Sequence, residues 1–338
     1  MRGLYWKKTT ALCVRKSLRP SPGSDAVARI LIYWRQVWKT PPKYAGGGFM
    51  AVLHSQVFFP STYPDLFSAW ERYPHAVPYA GGTGLIRGQG GQALELPPVI
   101  LSMEGLEEML RISRTERYLE IGAMVNLNRI IDLGKTVPSV LRRCLENIAG
   151  PQLRNMATIG GNICLLDRQP DCPPVLSALD AQYEIRGVLS SRWISASRFS
   201  ANPVTGSITG SSVLNSGELL TRVRIPLDNW DYSAYKKFSG HANWGKAVVF
   251  LAKAQKNTLS DIRVVYKADS VFRNKNIESL LIGKHLPLSQ KIAGEFVVQW
   301  GNFLSETHGA DREGSDSNEA SRKEILSFIG MNVYNLSD

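Results

Sequence analysis

The chain has 338 residues, 43% hydrophobic and 20% charged, which suits a water-soluble folded protein of two or three units and excludes a fibrous or low-complexity chain. Its net charge of +11 suggests a nucleic-acid partner until the charge is located: residues 1–49 hold ten Lys or Arg against Asp25 alone. The remaining 289 residues carry 30 bases and 28 acids, so no basic face for nucleic acid is indicated.

In the basic head the best apolar stretch, Ala28 to Trp38, is interrupted by Arg29 and Arg35, which argues against a signal peptide. No run anywhere reaches the ~18 apolar residues of a membrane helix. Residues 1–49 read as a disordered extension, or as upstream sequence before a natural start at Met50. A short amphipathic anchor for a membrane or a partner is the alternative.

From Met50 strand and helix signals alternate. Val57 to Pro60 predicts a strand, and Ser61 or Thr62 caps a helix through Trp70, because a short side-chain oxygen can accept an orphan backbone N–H. Ala76 to Ala80 is a second strand, ending at Gly81-Gly82, and Val99 to Leu101 a third. A helix is expected from Leu106 to Ile112, a strand from Tyr118 to Ala123 and a helix from Asn126 to Leu133. Pro138 to Ile148 carries the clearest helix pattern, with proline at its start, Gly150 past its end, and Leu141, Cys144, Leu145 and Ile148 on one face. Strands follow at Gln182 to Val188 and Leu219 to Ile225. Beyond Pro226, strands at Trp244 to Ala254 and Ile262 to Ala268 precede helices at Asn276 to Leu281, Ser289 to Phe303 and Asn318 to Ile329, with a polar loop at Ser305 to Ser317. The expected units are 1–49, 50–226 and 227–338.

Chemistry concentrates in two glycine-rich turns. Ala80-Gly81-Gly82-Thr83-Gly84-Leu85 follows a strand, and Ala157-Thr158-Ile159-Gly160-Gly161-Asn162-Ile163 follows the Pro138 helix. Glycine lets a ligand approach the backbone closely, and successive N–H groups in such a turn form a concave nest for anions. Two such turns can hold the two phosphates of one dinucleotide. Each alone is also what an ordinary tight turn looks like. Arg87 stands where a G-x-G-x-x-G fingerprint needs glycine, and neither a Walker-type loop nor a G-x-S-x-G elbow is present. His54, His75, His241, His285 and His308 lie far apart, and Cys13, Cys144, Cys164 and Cys172 have no metal-ligand spacing, so no metal or iron–sulfur site is expected.

Taken in order, Ala80 to Thr83, Ile121-Gly122-Ala123, Gln152 to Asn162, Asp171 to Ala181, Glu218-Leu-Leu with Arg224-Ile-Pro226, and Tyr235-Lys236 resemble the FAD-binding subunit of molybdenum hydroxylases. The resemblance runs from about Val57 to Leu286 and on through the C-terminal helices. It implies an α+β fold: a two-subdomain α/β FAD-binding domain of the PCMH-like kind, then a small α+β domain with a three-stranded antiparallel sheet. It assigns Ala80, Gly81, Gly82, Thr83, Gly84 and Leu85 to the first flavin-and-phosphate loop, and Thr158, Ile159, Gly160, Gly161 and Asn162 to the second. It sets Asp171, Leu219, Leu220 and Lys236 beside the flavin ring: the leucines to cover it, Asp171 to accept from an N–H or hydroxyl, Lys236 to favour the reduced anion. Gly84 departs from the acidic or polar residue of many relatives.

The implied function is electron relay in a cytoplasmic complex. A large subunit carries molybdopterin, a small one carries [2Fe–2S] clusters, and FAD on this chain passes electrons to an acceptor such as NAD, with quinone or oxygen as alternatives. Two other readings stay open: a stand-alone flavin oxidoreductase of similar fold, as in cell-wall precursor synthesis, and a non-catalytic assembly module.

Overall fold

A computed structural model describes residues 55–88, 96–165, 170–200, 214–215, 217–238, 245–268, 270–308 and 315–337. The expectations for residues 1–49 lie outside them.

The first layer is a three-stranded parallel sheet in the order β1-β3-β2, formed by β1 (Gln56–Phe58), β2 (Val77–Tyr79) and β3 (Val99–Ser102). Helix α1 (Tyr63–Arg72) crosses between β1 and β2. Thr62 caps it, the hydroxyl accepting from the Asp65 N–H at 3.3 Å, and Leu66 and Phe67 are buried. Helix α2 (Thr83–Gly88) grows directly out of the first glycine turn.

The second layer is a five-stranded sheet in the order β4-β5-β8-β6-β7, antiparallel at every pairing. Its strands are β4 (Ile112–Arg114), β5 (Tyr118–Gly122), β6 (Gln182–Arg186), β7 (Ser191–Ser195) and β8 (Leu219–Pro226). Between β5 and β6 the chain forms α3 (Leu127–Ile131), α4 (Ser139–Glu146), α5 (Pro151–Arg154), α6 (Ile159–Cys164) and α7 (Cys172–Ala178); α8 (Ala196–Ser200) follows β7. On α4, Val140, Leu141, Cys144 and Leu145 are buried, the apolar face that the spacing predicts.

The third layer is a four-stranded antiparallel sheet of β9 (Tyr232–Lys237), β10 (Ala247–Gln255), β11 (Thr258–Lys267) and β12 (Val271–Arg273), ordered β12-β11-β10-β9. Three long strands carry it, as the resemblance implies, and β12 adds three residues at its edge. This sheet separates two cores by the period-two alternation of strands. Val249 and Leu251 point into the core shared with the first two layers. Val248, Phe250 and Ala252 point into a second core, with Phe296 and Trp300 of α10 (Gln290–His308) and Ile325 and Ile329 of α11 (Ser315–Tyr334). The short helix α9 (Lys275–Ser279) precedes these two. Among the described residues no helix is long and apolar enough to cross a membrane.

Two local expectations change. Leu106 to Ile112 is not a helix: a single 3-10 turn at Glu107–Leu110 gives way to β4, because Arg111 is extended and its carbonyl accepts from Gly122 at 2.8 Å. The polar stretch Ser305 to Ser317 is not a loop throughout. α10 continues to His308 and α11 starts at Ser315, with Arg322 donating to Ser305 Oγ at 2.6 Å across the helix pair.

Candidate functional site

The two glycine turns meet. At Gly81 a β-carbon would overlap the carbonyl of Met156, the residue that leads into the second turn, so only glycine allows this approach. Gly82 takes φ +69°, the left-handed region, and starts α2 beneath it. Among the described residues nothing accepts from the N–H groups of Gly81 or Gly82. Thr83, Gly84 and Leu85 open a helix, where the first N–H groups have no intrahelical partner. A side chain at 84 would run into Leu165, which accounts for glycine there.

The second turn is built in the opposite way. Ile159 N–H donates to Val125 O at 3.0 Å, Gly160 to Ala123 O at 2.9 Å, Gly161 to the Thr158 hydroxyl at 3.0 Å and Asn162 to Thr158 O at 2.9 Å. All four successive N–H groups thus have protein acceptors, so the anion nest expected here is not what the backbone forms. Thr158 acts as the cap of α6. Arg154, in the block just before the turn, is a clamp. Its guanidinium donates to the carbonyls of Glu146, Ile148 and Ala149 at 3.1, 3.0 and 2.7 Å and to Asn128 Oδ1 at 3.0 Å, closing the C-terminal end of α4.

Beyond the second turn lies Asp171. Asn162 Oδ1 accepts from the Cys172 N–H at 3.1 Å, and the Cys144 thiol donates to the Asp171 carbonyl at 3.2 Å, so the peptide around Asp171 is gripped from α6 and from α4. The Lys237 ammonium donates to Asp171 Oδ2 at 2.7 Å. Asp171 Oδ1 is buried and has no hydrogen-bond partner among the described residues, and the same holds for the Tyr235 hydroxyl. Burial first, then Cys144 and Asp171 nearby, raise the Tyr235 hydroxyl well above its ordinary range. The Cys172 thiol is pushed up by its hydrogen bond to Cys144 and by burial. The Cys172 thiol therefore stays protonated, unsuited to act as a nucleophile or metal ligand.

The positions named from sequence divide accordingly. Ala80 to Leu85 and Gly161-Asn162 are partly exposed around the junction of the turns, with Thr158 buried as a cap. Ile159 is wholly buried in the main core, so it anchors α6 and faces no ligand. Leu219 and Leu220 do not form one covering pair. A bulge between Glu184 and Ile185 of the β6–β8 pairing leaves Thr221 extra and turns Leu220 into the core at 2% exposure, whereas Leu219 stays half-buried. Lys236 is not beside Asp171. It pairs with Glu324 of α11 at 3.1 Å and lies over the Phe238 and Phe328 rings, on the second-core face of β9. Adjacent strand residues point to opposite faces, so Lys237 and Tyr235 share the face that Lys236 cannot reach. Reading 232–237 as a strand would have given this signal.

Residues 53–228 match the family described as FAD binding domain in molybdopterin dehydrogenase. The chain is 32% identical over 215 residues to the glyceraldehyde dehydrogenase medium chain of Sulfolobus acidocaldarius, covering 62% of this chain and 74% of that one. It is 28% identical over 219 residues to the carbon monoxide dehydrogenase medium chain of Afipia carboxidovorans, covering 62% and 73%. A chain of the carbon monoxide dehydrogenase structure from Hydrogenophaga pseudoflava, in the form lacking the Mo-pyranopterin moiety, superposes with a TM-score of 0.69 at 19% identity over 84% of this chain and 96% of that one, which shows a shared fold.

Proposed function

The chain belongs to the family of FAD-binding domains in molybdopterin dehydrogenases, and we propose that it relays electrons between a [2Fe–2S] partner subunit and a two-electron acceptor such as NAD. In this reading it is the medium subunit of a three-part oxidoreductase, with molybdopterin on the large subunit and the clusters on the small one. The relatives named medium chains of glyceraldehyde and carbon monoxide dehydrogenases support that assembly.

The residues present fit FAD. The observation that carries the reading is the first turn, where the N–H groups from Gly81 to Leu85 have no acceptor among the described residues and lie against a rigid second turn, together with Asp171 Oδ1, which has no partner among those residues. The row suits a pyrophosphate, with Thr83 able to add a hydroxyl donor. Thr158 and Gly160 to Asn162 set the floor, and Asp171 accepts from a hydroxyl or ring N–H. Leu219 offers apolar cover at the rim, and Lys237 replaces Lys236 as the nearby cation. When bound, FAD supplies the exchange between one-electron and two-electron carriers. This chain's own residues bind, orient and shield; the buried Cys172 thiol and the Tyr235 hydroxyl stay neutral and add no competing charge.

Purification of the native protein tests this. The visible spectrum should show oxidised flavin, released cofactor should be FAD, and molybdenum- and iron-containing chains should co-purify. A colourless protein that takes up no added FAD overturns the reading; bound FAD with no such partner favours the stand-alone oxidoreductase.

A further inference from the structure

We infer that Lys237 is the positioning residue of the cofactor site, holding Asp171 so that its free oxygen meets a donor on the cofactor; this rests on the FAD reading above. A buried carboxylate oxygen without a partner carries the full cost of its desolvation, unless a donor arrives from outside the chain. Among the described residues Asp171 presents one such oxygen, Oδ1, and cannot easily turn it elsewhere. Its backbone is fixed through Asn162 and Cys144, and its other oxygen is fixed by Lys237 at 2.7 Å. Among the described residues the groups that face the carboxylate are Lys237 and Tyr235 from β9, Cys144 from α4 and Cys172 from α7. Of these only Lys237 brings a cation.

Lys236 cannot take this part. It pairs across β9–β10 with Val248 of the second core, and its ammonium is spent on Glu324. Bringing it to Asp171 would need a one-residue slip that turns every side chain of β9 to the wrong face. The two neighbouring lysines therefore have separate work: Lys237 orders the cofactor's acceptor, and Lys236 ties α11 to the sheet.

The test is FAD titration of the flavin-stripped full chain by fluorescence, with the melting temperature of each flavin-free variant measured beside it. Lys237→Met should weaken FAD binding by about tenfold or more, as loss of a charge-assisted hydrogen bond requires. Lys237→Arg should recover most of that loss, and Lys237→Gln serves where the Met variant does not fold. Asp171→Asn should weaken binding to a similar degree, and the double variant Lys237→Met with Asp171→Asn should bind no worse than the weaker single. Lys236→Met should keep wild-type affinity and lower the melting temperature. Wild-type affinity in the Lys237→Met and Lys237→Gln proteins, or an equal loss in Lys236→Met, overturns the inference while leaving the FAD reading standing. Failure of the wild-type chain to take up FAD removes both.

Discussion

The two glycine turns share a Gly-Gly pair with a threonine close by and differ in what their backbones have left to give. From Ile159 to Asn162 each N–H ends on a protein oxygen, and Gly160 presses so closely on Ala123 that a β-carbon there would lie 2.6 Å from the Ala123 methyl. From Gly81 to Leu85 the N–H groups have no such acceptor among the described residues, although Gly81 is packed just as tightly against Met156. One turn is a brace and the other a cradle. The difference lies in the neighbours: β5 and its continuation through Val125 run alongside the second turn with carbonyls facing it, and no described strand does so for the first.

Substitutions at matching positions should separate the two roles. Gly160→Val forces a branched side chain into Ala123 and should cost about 3 kcal/mol, at the upper end for overpacking, read as a large drop in melting temperature with or without FAD. Thr158→Ala removes the cap of α6 and should cost about 1 kcal/mol in thermal unfolding. Thr83→Ala is the counterpart in the cradle. Its flavin-free melting temperature should stay within roughly 0.5 kcal/mol of wild type while FAD affinity falls several-fold; a stability loss equal to that of Thr158→Ala would end the distinction.

The smallest effect is expected away from both turns. Arg192 donates to Glu218 at 2.9 Å, and this hydrogen bond holds the Glu218 carboxyl at about 2, below its ordinary value of 4.5. The folded value is depressed, so the pair's stabilisation is complete above about pH 4.5 and is lost as pH falls through about 2. Arg192→Gln should therefore lower the melting temperature slightly at pH 7, by less than about 1 kcal/mol, and the gap to wild type should close toward pH 2. Its FAD affinity should not change, which makes it a control for the turn variants.

Much of the local structure was legible because it depends on local signals. Thr62 and Asn126 cap α1 and α3 through side-chain oxygens a few atoms from the N–H groups they satisfy, and the apolar face of α4 recurs every three or four residues. The positions of both glycine turns could be read for the same reason. What could not be read was each turn's conversion into the first residues of a short helix, since α2 and α6 have six residues each and little periodicity. β4 was hidden likewise: three residues acquire strand character only by pairing with β5. Arg154 lay inside the Gln152 to Asn162 block of resemblance with no role of its own until the three carbonyls around its guanidinium were in place.

By itself the sequence determined the alternation of strands and helices, the two close-approach turns, the near-neutral charge of residues 50–338 and the residue types available to a flavin. Those are matters of composition, spacing and steric permission, which neighbouring residues settle among themselves. Only the tertiary structure decided which turn commits its N–H groups to protein acceptors, that Leu220 belongs to the core, and that Lys237 rather than Lys236 stands beside Asp171. Each depends on which strand lies alongside and in what register, and a register shift of one residue reverses the facing of every side chain.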